Sequence, residues 1–201
     1  MSLAGERRRG VPVWGLGPLG PGVALVGSGS VGCVSGGFGG APFPLLINEL
    51  RRRGVEDILV LNGARTAARL YPPERFARPA VPVVAEATDD GTRGHHGSVI
   101  DLLVQALTSQ PAALYACGPN PMLNAVMQTL LDSGATLPPI LEASLEAPMG
   151  CGFGTCLGCA LPVLGDGGAS VWKLCCTDGP VMSMRDVDWA GVSALPGADV
   201  A

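Results

Sequence analysis

Between residues 30 and 144, apolar residues occur in short continuous runs that alternate with segments of helical periodicity. Within the runs, apolar residues do not alternate with polar ones, as they would in a strand with one face in solvent. Such strands are buried on both faces, which is typical of a parallel sheet covered by helices. The pattern therefore predicts an α/β fold.

Apolar runs predict five strands, and periodic segments predict three helices. The predicted strands cover residues 31–34, 57–63, 81–88, 112–118 and 137–146. The predicted helices cover residues 42–54, 98–109 and 119–134. Two of these helices have proline in the first turn and glycine at the end, and Ser98 caps the other. This order predicts a parallel sheet covered by helices on both faces.

The composition changes near Met149, where cysteine and glycine replace the helical pattern. Residues 147–190 are therefore predicted to form a small loop-rich module built around a metal centre. Residues 23–146 make up the α/β domain, residues 1–22 precede it, and residues 191–201 are predicted to be a frayed tail.

Five of the seven cysteines lie in this module: Cys151, Cys156, Cys159, Cys175 and Cys176. The first three have the spacing C-x4-C-x2-C, and a distant cysteine follows, which is typical of plant-type 2Fe-2S clusters. The last two are consecutive, so in an extended segment their side chains point in opposite directions and only one should be a ligand. The spacing alone does not decide between them.

Three glycines, Gly152, Gly154 and Gly158, lie between the first three of these cysteines. They permit the tight turns that bring three thiolates to one side of a cluster, and they expose amides that can donate to sulfur. Two other interpretations are a structural zinc site and a set of unligated core cysteines. Zinc sites usually pair two short C-x2-C turns, whereas the distant half here holds only the doublet, so the spacing favours the 2Fe-2S cluster.

Two glycine-rich segments compete as the phosphate-binding loop of a dinucleotide site. Residues 27–32 contain a formal G-x-G-x-x-G, but no predicted helix follows, so no helix N-terminus is available for a pyrophosphate. Residues 36–40 lie between a predicted strand and a predicted helix, where exposed amides can hold a pyrophosphate. The second segment is the better candidate, although a ligand-free turn between strand and helix gives the same pattern.

Charge and composition argue against two classes of partner. The net charge of -4 gives no basic surface for nucleic acid, and the arginine runs at 7–9 and 51–53 are too short to change this. No stretch approaches the ~20 apolar residues that a membrane helix needs. Seven cysteines without a recognisable export signal predict a cytoplasmic protein with reduced thiols or metal ligands.

Six motifs follow one another along the chain: SGGFGGAP, NGART, TDDGTRGHHG, YACGPNPM, SLEAPMGCGFGTCLGC and CTDGPV. In this joint order they resemble the electron-transfer subunits of class B dihydroorotate dehydrogenase, within the ferredoxin–NAD(P)+ reductase superfamily. The resemblance covers residues 17–189. The order of the motifs is far more specific than any one of them.

The resemblance implies a Rossmann-like NAD-binding domain with a dinucleotide site on four loops, and with Cys117 near the nicotinamide as the candidate catalytic residue. The implied contacts are Gly36, Gly37 and Gly39 for the pyrophosphate, Gly63, Arg65 and Thr66 for the adenosine half, Asp89, Asp90 and Gly91 facing the cleft, and Cys117, Gly118, Pro119 and Met122 in the C-G-P-x-P-M motif. The CTDGPV motif begins at Cys176, which favours Cys176 over Cys175 as the fourth cluster ligand.

For single residues, simpler interpretations remain open. Cys117 at a strand end is equally well explained as a core thiol, and Arg65 as a solvated side chain. His95 and His96 lie in a polar loop with no metal-ligand spacing around them, so they are predicted to be surface residues. Cys33 fits a free core cysteine.

The sequence departs from the family at one point. Family members begin with a β-barrel that holds FAD through an Arg-x-Tyr-Ser/Thr motif, and this sequence contains neither. Residues 16–22 resemble the end of that barrel. We therefore expect residues 1–22 to be a remnant of, or a linker from, a missing flavin-binding domain, which leaves FAD binding by this chain open.

The resemblance implies an oxidoreductase subunit that passes electrons from NADH through flavin and a 2Fe-2S cluster to a partner dehydrogenase carrying FMN. The pair would form a hetero-oligomer in pyrimidine biosynthesis. Because NADH delivers two electrons and the cluster takes one, a flavin must convert between them, and the chain alone is expected to be inefficient or inactive with NADH. The alternatives are a reductase subunit for another partner, or a non-catalytic iron–sulfur or zinc interaction module left by truncation.

Overall fold

The computed structural model describes residues 15, 17–76, 82–107 and 110–195. Within these residues the strands are β1 (Val31–Gly36), β2 (Ile58–Ala64), β3 (Val83–Thr88), β4 (His95–His96), β5 (Ala113–Cys117), β6 (Ile140–Ser144), β7 (Ala160–Leu164), β8 (Ser170–Leu174) and β9 (Val181–Ser183). The α-helices are α1 (Phe43–Arg52), α2 (Ile100–Leu107), α3 (Asn120–Asp132) and α4 (Trp189–Ser193). None of these helices has the length and apolar character needed to cross a bilayer.

Seven of the strands form one sheet, in the order β4-β3-β2-β1-β5-β6-β9. Every pairing from β4 to β6 is parallel, and β9 runs antiparallel against β6. The strands β7 and β8 pair separately as an antiparallel hairpin. The prediction of an α/β fold with a mainly parallel sheet is confirmed.

Alternate residues of the central strands enter two apolar cores, one on each face of the sheet. In β5, Ala113 and Tyr115 belong to the core that α1 covers, whereas Leu114 and Ala116 belong to the core that α2 and α3 cover. The residues of β1 divide between the two cores in the same way. Burial of both faces explains why the strands read as continuous apolar runs.

The cysteine-rich module packs directly on the α/β domain. Its strand β9 extends the main sheet, and Cys159, Leu161 and Trp189 join the core that α2 and α3 cover. The Trp189 indole donates a hydrogen bond to the Met184 carbonyl at 2.9 Å. The two units that the sequence placed on either side of residue 146 therefore share one core.

Helix α4 continues past residue 190, where we expected a frayed tail to begin. Asp188 caps it by accepting a hydrogen bond from the Gly191 amide at 2.9 Å. Val192 is buried, with 1% of its surface exposed. The cap and this apolar contact hold the chain in a helix up to Ser193.

Several strands differ from the predicted ones. Strand β1 ends two residues later than predicted, β6 begins three residues later, and β7, β8 and β9 lie in the module predicted to be loop-rich. Strand β3 begins at Val83, two residues after the predicted start. Strand β4 lies within a segment predicted to be a loop, where it pairs with the last two residues of β3. A strand of two polar residues leaves no periodic signal in the sequence. Residues 7–9, 16, 81, 108–109 and 196–201, for which expectations were stated, lie outside the described part of the chain.

Helix α1 offers a matched pair of substitutions that tests this packing. Ile47 is fully buried against the sheet, whereas Leu45 is 79% exposed on the same helix. We expect Ile47→Ala to lower the free energy of unfolding by about 2–5 kcal/mol, because it removes buried methyl groups and leaves a cavity. Leu45→Ala should change it by about 0.5 kcal/mol or less. Denaturant unfolding measures both, and equal losses would contradict the orientation of α1.

Candidate functional site

The strand order reverses its direction between β1 and β5. From β1 the chain continues to β2 and β3 on one side, and from β5 it continues to β6 on the other. The loops that leave the carboxyl ends of two such strands diverge, and α/β proteins bind ligands in the crevice that opens between them. The loop after β1 is the glycine-rich turn Gly37–Gly40, and the loop after β5 begins at Gly118. Two of the loops implied by the sequence motifs therefore meet at this crevice.

Glycine occupies the points at which these two loops touch. A Cβ atom on Gly39 would overlap the Cys117 carbonyl oxygen, and one on Gly118 would lie 3.1 Å from the Gly36 nitrogen. Gly37 adopts a φ of 55°, which glycine reaches without strain. The backbones of the two loops therefore lie close together. Because these glycines have no side chains, a ligand can also approach the backbone closely.

Pro119 and Met122 support the glycine loop from the side of α3. Pro119 is the N-cap residue of α3, and Met122 lies half-buried in its first turn. A Cβ atom on Gly36 would lie 2.5 Å from Met122 Sδ and 3.1 Å from Pro119 Cδ. These two residues therefore pack against the loop and fix its position.

The loops after β2 and β3 carry the residues that the motifs imply for the adenosine half. Gly63 packs on Val99, since a Cβ atom at Gly63 would lie 2.5 Å from Val99 Cβ. The Asp90 amide donates to the Arg65 carbonyl at 3.2 Å, which joins the two loops. Arg65 is exposed and Thr66 is half-buried at the same edge. The structure thus brings these residues together as the motifs imply.

The carboxylate of Asp90 holds its loop in shape. Its Oδ1 accepts hydrogen bonds from Thr92 Oγ1 at 2.6 Å and from the Thr92 amide at 3.0 Å. These hydrogen bonds hold the pKa of Asp90 below its usual range. Thr92 Oγ1 in turn accepts from the Ala67 amide at 2.9 Å, so the loop is tied to the one after β2. Asp89, beside it, is exposed at the crevice.

Cys117 ends β5 and lies opposite Ser144 of β6. Burial raises the pKa of the Cys117 thiol, and a hydrogen bond with the Ser144 side chain lowers it by less. The thiol is therefore neutral near pH 7 and poorly suited to be a nucleophile. Cys117 is half-buried at the crevice, and it does not lie in the interior of a core.

An apolar cavity of about 300 Å³ lies beside Cys117, between α1, β5 and β6. The segment around Ala24 forms one wall. Tyr115 Oη donates to the Ala24 carbonyl at 2.6 Å, and the Ala24 amide donates to Glu142 Oε2 at 3.1 Å. Tyr115 and Glu142 lie opposite each other on β5 and β6, and burial raises the pKa of Glu142. Sequence analysis missed this pair, because cross-strand register leaves no signal in a single strand.

The name cysteine loop is used here for residues 151–159 together with the turn at Cys175 and Cys176. Backbone amides surround its sulfur atoms. Cys151 Sγ accepts from the Cys156 amide at 3.4 Å, and Cys156 Sγ accepts from the Gly158 amide at 3.5 Å. Cys159 Sγ accepts from the Cys176 amide at 3.4 Å. Donors aimed at sulfur stabilise the thiolate form, which is the form that binds metal.

The effect is strongest at Cys151. Hydrogen bonds from the amides of Phe153 and then Cys156 lower the pKa of the Cys151 thiol to about 6. Gly152 and Gly154, with φ of 79° and 89°, turn the chain so that it wraps around the sulfur. The glycines between the cysteines therefore have the geometric role that their positions predict.

The four cysteines influence one another in two pairs. Cys156 adds to the lowering of the pKa of Cys151 by the Phe153 amide, and Cys159 is the main cause of the raised pKa of Cys176. Cys151 and Cys176 are also close enough to interact electrostatically. Among the described residues, no three His, Cys, Asp or Glu side chains converge as one metal ion would require. A 2Fe-2S cluster instead takes two thiolates on each iron, and the paired, amide-lined cysteines fit that group.

The adjacent cysteines of the doublet face different surroundings. Cys175 is fully buried, and its Sγ donates to the Leu145 carbonyl at 3.6 Å. The Cys176 amide instead donates to Cys159 Sγ at 3.4 Å, and the Cys176 thiol interacts electrostatically with Cys159 and Cys151. The Cys175 thiol interacts in this way with Cys159 and Cys176 but not with Cys151, so the arrangement favours Cys176 as the fourth ligand.

Other residues considered from the sequence lie away from both sites. The formal G-x-G-x-x-G at residues 27–32 leads into the first residues of β1. It therefore lies at the amino-terminal end of that strand, whereas the crevice lies at the carboxyl end. His95 and His96 are exposed, and His95 Nε2 lies 3.3 Å from Asp101 Oδ2. Cys33 is fully buried, and burial raises its pKa to about 12, as expected for a core thiol.

Comparison with known proteins decides the family. Residues 146–188 match the family model for the iron-sulfur cluster binding domain of dihydroorotate dehydrogenase B. Over 190 residues the chain is 37% identical to the dihydroorotate dehydrogenase B (NAD(+)) electron transfer subunit of Bacillus caldolyticus, covering 92% of this chain and 69% of that subunit. The chain belongs to the family of dihydroorotate dehydrogenase B electron transfer subunits. The corresponding subunit of Geobacillus thermodenitrificans is 39% identical over 189 residues, with the same coverage.

A solved structure extends the likeness from the sequence to the fold. The NADH-dependent reduced ferredoxin-NADP oxidoreductase, studied for flavin-based electron bifurcation, aligns with a TM-score of 0.71 at 27% identity. The alignment covers 92% of this chain and 64% of that one. The resemblance to dihydroorotate dehydrogenase B electron transfer subunits, inferred from the order of the motifs, is thereby confirmed.

The doublet gives a direct test of the ligand arrangement in this subunit. We expect Cys176→Ser to lose the visible absorbance and the iron of the purified protein, because one thiolate of a pair is removed. Cys175→Ser should keep both, since a hydroxyl can still donate to the Leu145 carbonyl. Iron analysis and absorbance spectra of the two variants measure this. Retention by Cys176→Ser together with loss by Cys175→Ser would reverse the assignment.

Proposed function

We propose that this chain transfers electrons from NADH to a partner dehydrogenase that oxidises dihydroorotate in pyrimidine biosynthesis. The observation that carries the proposal is that the cysteine module is joined to the sheet that carries the crevice, because its strand β9 pairs with β6. A flavin and a 2Fe-2S cluster, when bound, supply the conversion between a two-electron hydride donor and single electrons. The residues of the chain bind, orient and shield these groups.

In this proposal, the crevice between β1 and β5 binds the dinucleotide. The Gly37–Gly40 turn receives the pyrophosphate, and helix α1 begins directly after it, so the positive end of the helix dipole favours the phosphates. Arg65 and the exposed Asp89 face the adenosine half. Cys117 lies at the nicotinamide end, where a small neutral side chain permits close approach without introducing charge.

The apolar cavity beside Cys117 is the proposed location of the flavin ring. Its volume of about 300 Å³ is at the lower end of the range for small-molecule sites, and its walls are mostly apolar, as a planar aromatic ring requires. Ser144 and Glu142 supply polar groups at its edge. The cavity adjoins the crevice, so a ring bound there would lie next to a bound nicotinamide.

The paired cysteines hold the cluster, and the surface around them is proposed to dock the partner. Cys156 is exposed, and three large apolar side chains close to it in the chain are also exposed: Met149 by 49%, Phe153 by 50% and Leu157 by 63%. Apolar side chains grouped on a surface mark sites of protein contact. We infer a cytoplasmic hetero-oligomer in which the partner carries FMN close to this surface.

A second candidate is a reductase subunit that serves a different partner. The TM-score of 0.71 to the NADH-dependent reduced ferredoxin-NADP oxidoreductase supports it. Both candidates use the same two sites and differ in the acceptor. Reduction of the cluster by dihydroorotate in the presence of a co-expressed dihydroorotate dehydrogenase catalytic subunit would support the first candidate. Reduction by NADPH or reduced ferredoxin alone would support the second.

The metal content of the anaerobically purified protein tests the proposed cluster. We expect two irons and two acid-labile sulfides per chain, as a 2Fe-2S cluster requires, together with the visible absorbance of iron–sulfur charge transfer. Zinc should remain far below one ion per chain. Stoichiometric zinc without sulfide would overturn the cluster and leave a structural metal module in its place.

Two glycine substitutions test the dinucleotide crevice. We expect Gly39→Ala to weaken NAD+ binding at least about tenfold, because its Cβ would push the glycine loop away from the Cys117 carbonyl and tenfold corresponds to only 1.4 kcal/mol. Gly27→Ala is the matched control, since a Cβ there meets nothing within 4 Å. Calorimetry measures both. Wild-type protein that binds no NAD+ would indicate a non-catalytic module.

A further inference from the structure

Three consecutive residues, Ser144, Leu145 and Glu146, lie between the dinucleotide crevice and the cysteine loop. We refer to them as the bridge segment. Ser144 is the last residue of β6, Leu145 and Glu146 follow it, and the first cysteine of the module is five residues further on at Cys151. The bridge segment contacts elements of both sites, and the two sets of contacts involve different side chains.

On the dinucleotide side, the bridge segment is held by Asn120. Asn120 Nδ2 donates to the Glu146 carbonyl at 2.8 Å, and the Glu146 amide donates to Asn120 Oδ1 at 3.0 Å. Asn120 is the first residue of α3, directly after Pro119 of the nicotinamide loop. Ser144 lies opposite Cys117 in the register of β5 and β6. Paired hydrogen bonds therefore tie the start of α3 to the bridge segment.

On the cluster side, the bridge segment is held by Cys175. Cys175 Sγ donates to the Leu145 carbonyl at 3.6 Å, while the Cys175 amide donates to the Cys159 carbonyl at 3.0 Å. The next residue is Cys176, whose amide donates to Cys159 Sγ at 3.4 Å. The Leu145 amide donates to the Pro180 carbonyl at 2.9 Å. The thiol of Cys175 is thus one peptide unit away from a cluster ligand.

The contacts at the centre of the bridge segment are shielded from water. Leu145 is 4% exposed and Cys175 is fully buried. A buried hydrogen bond cannot be replaced by one to water, so breaking it leaves a buried acceptor unsatisfied. The cluster end of the bridge segment is therefore shielded from water, whereas the Asn120–Glu146 hydrogen bonds at its other end lie at the surface.

We propose that the bridge segment couples the two sites, so that occupation of the dinucleotide crevice changes the reduction potential of the cluster, with Asn120 and Cys175 as its positioning residues. The inference rests on the proposed function, since it needs a dinucleotide in the crevice and a cluster on the cysteines. Coupling between two sites is reciprocal. If bound dinucleotide changes the equilibrium between the oxidised and reduced cluster by some factor, then reduction of the cluster changes the affinity for the dinucleotide by the same factor.

The test compares the midpoint potential of the cluster with and without a dinucleotide. The probe is the tetrahydronicotinamide analogue of NADH, which binds without transferring hydride. Calorimetry on the cluster-loaded protein first establishes binding. We expect the analogue to shift the midpoint potential of the cluster. The shift should correspond to at least about a fivefold difference in affinity for the analogue between the oxidised and the reduced protein, which is at the low end of typical coupling. At 59 mV per tenfold for one electron, this is about 40 mV.

Substitutions at the two ends of the bridge segment identify the route. We expect Asn120→Ala and Cys175→Val to bind the analogue and to lose most of the shift, whereas Cys175→Ser should keep it, because the hydroxyl still donates to the Leu145 carbonyl. Two matched controls should keep the full shift. Asn124→Ala removes a hydrogen bond from α3 to Ser193, and Cys33→Val removes a buried thiol that is remote from the bridge segment.

The outcomes separate the two levels of the proposal. Wild-type protein that does not bind the analogue overturns the proposed function and this inference with it. Binding with an unchanged potential overturns the inference alone. A shift of the midpoint potential that persists in Asn120→Ala also overturns the inference. If Cys175→Val loses its cluster, no potential can be measured for it, and the result for Asn120→Ala decides alone. Loss of the shift in Asn124→Ala and Cys33→Val as well would show a general loosening of the fold and would equally overturn the assigned route.

Discussion

Strands β5 and β6 pair in a register that sets Cys117 opposite Ser144 and Tyr115 opposite Glu142. A slip of one residue would turn every side chain of a strand to the other face of the sheet. The register therefore decides which side chains meet at the crevice and which line the apolar cavity. It also decides where β6 ends, and hence where the chain leaves the sheet toward the cysteine loop. Both candidate sites depend on this one pairing.

The cysteine loop combines two environments within a small volume. Cys159 and Cys176 are buried, whereas Cys156 is exposed and Cys151 is half-buried. Negative charge is costly where water is excluded, so the buried pair needs the amide donors and the close approach of the backbone more than the exposed pair does. The exposed pair can be stabilised by water as well. The loop thus offers the two irons of a cluster unequal surroundings, which is one of the ways in which proteins adjust a reduction potential.

Much of the fold was predictable, because burial of both faces of a parallel sheet leaves a pattern within each strand. The cysteine spacing and the interleaved glycines also lie within one short segment, so the cluster loop was readable from the sequence. The spacing alone did not decide between Cys175 and Cys176, and only the resemblance of the CTDGPV motif favoured Cys176. The contact that distinguishes them in the structure is non-local, because the Leu145 carbonyl accepts the Cys175 thiol from 30 residues away.

Contacts between distant parts of the chain account for the remaining differences. The Ala24 amide meets Glu142 across a separation of 118 residues, and Asn120 meets Glu146 across 26. Neither pair has a periodic or compositional signal. Helix α4 was missed for a similar reason, because a five-residue helix depends on its cap and on the burial of Val192 more than on its own pattern. Such elements exist only in the folded chain.

The return of the chain to the main sheet as β9 has a consequence for the speed of electron movement. Electron tunnelling through protein falls steeply with distance, so a cluster carried on a swinging domain would spend much of its time too far from its donor. Pairing of β9 with β6 removes that freedom, because the cysteine loop is bound at both of its ends to the sheet that carries the crevice. The tunnelling distance within the chain is then constant, and only the distance to the acceptor protein depends on how that protein docks.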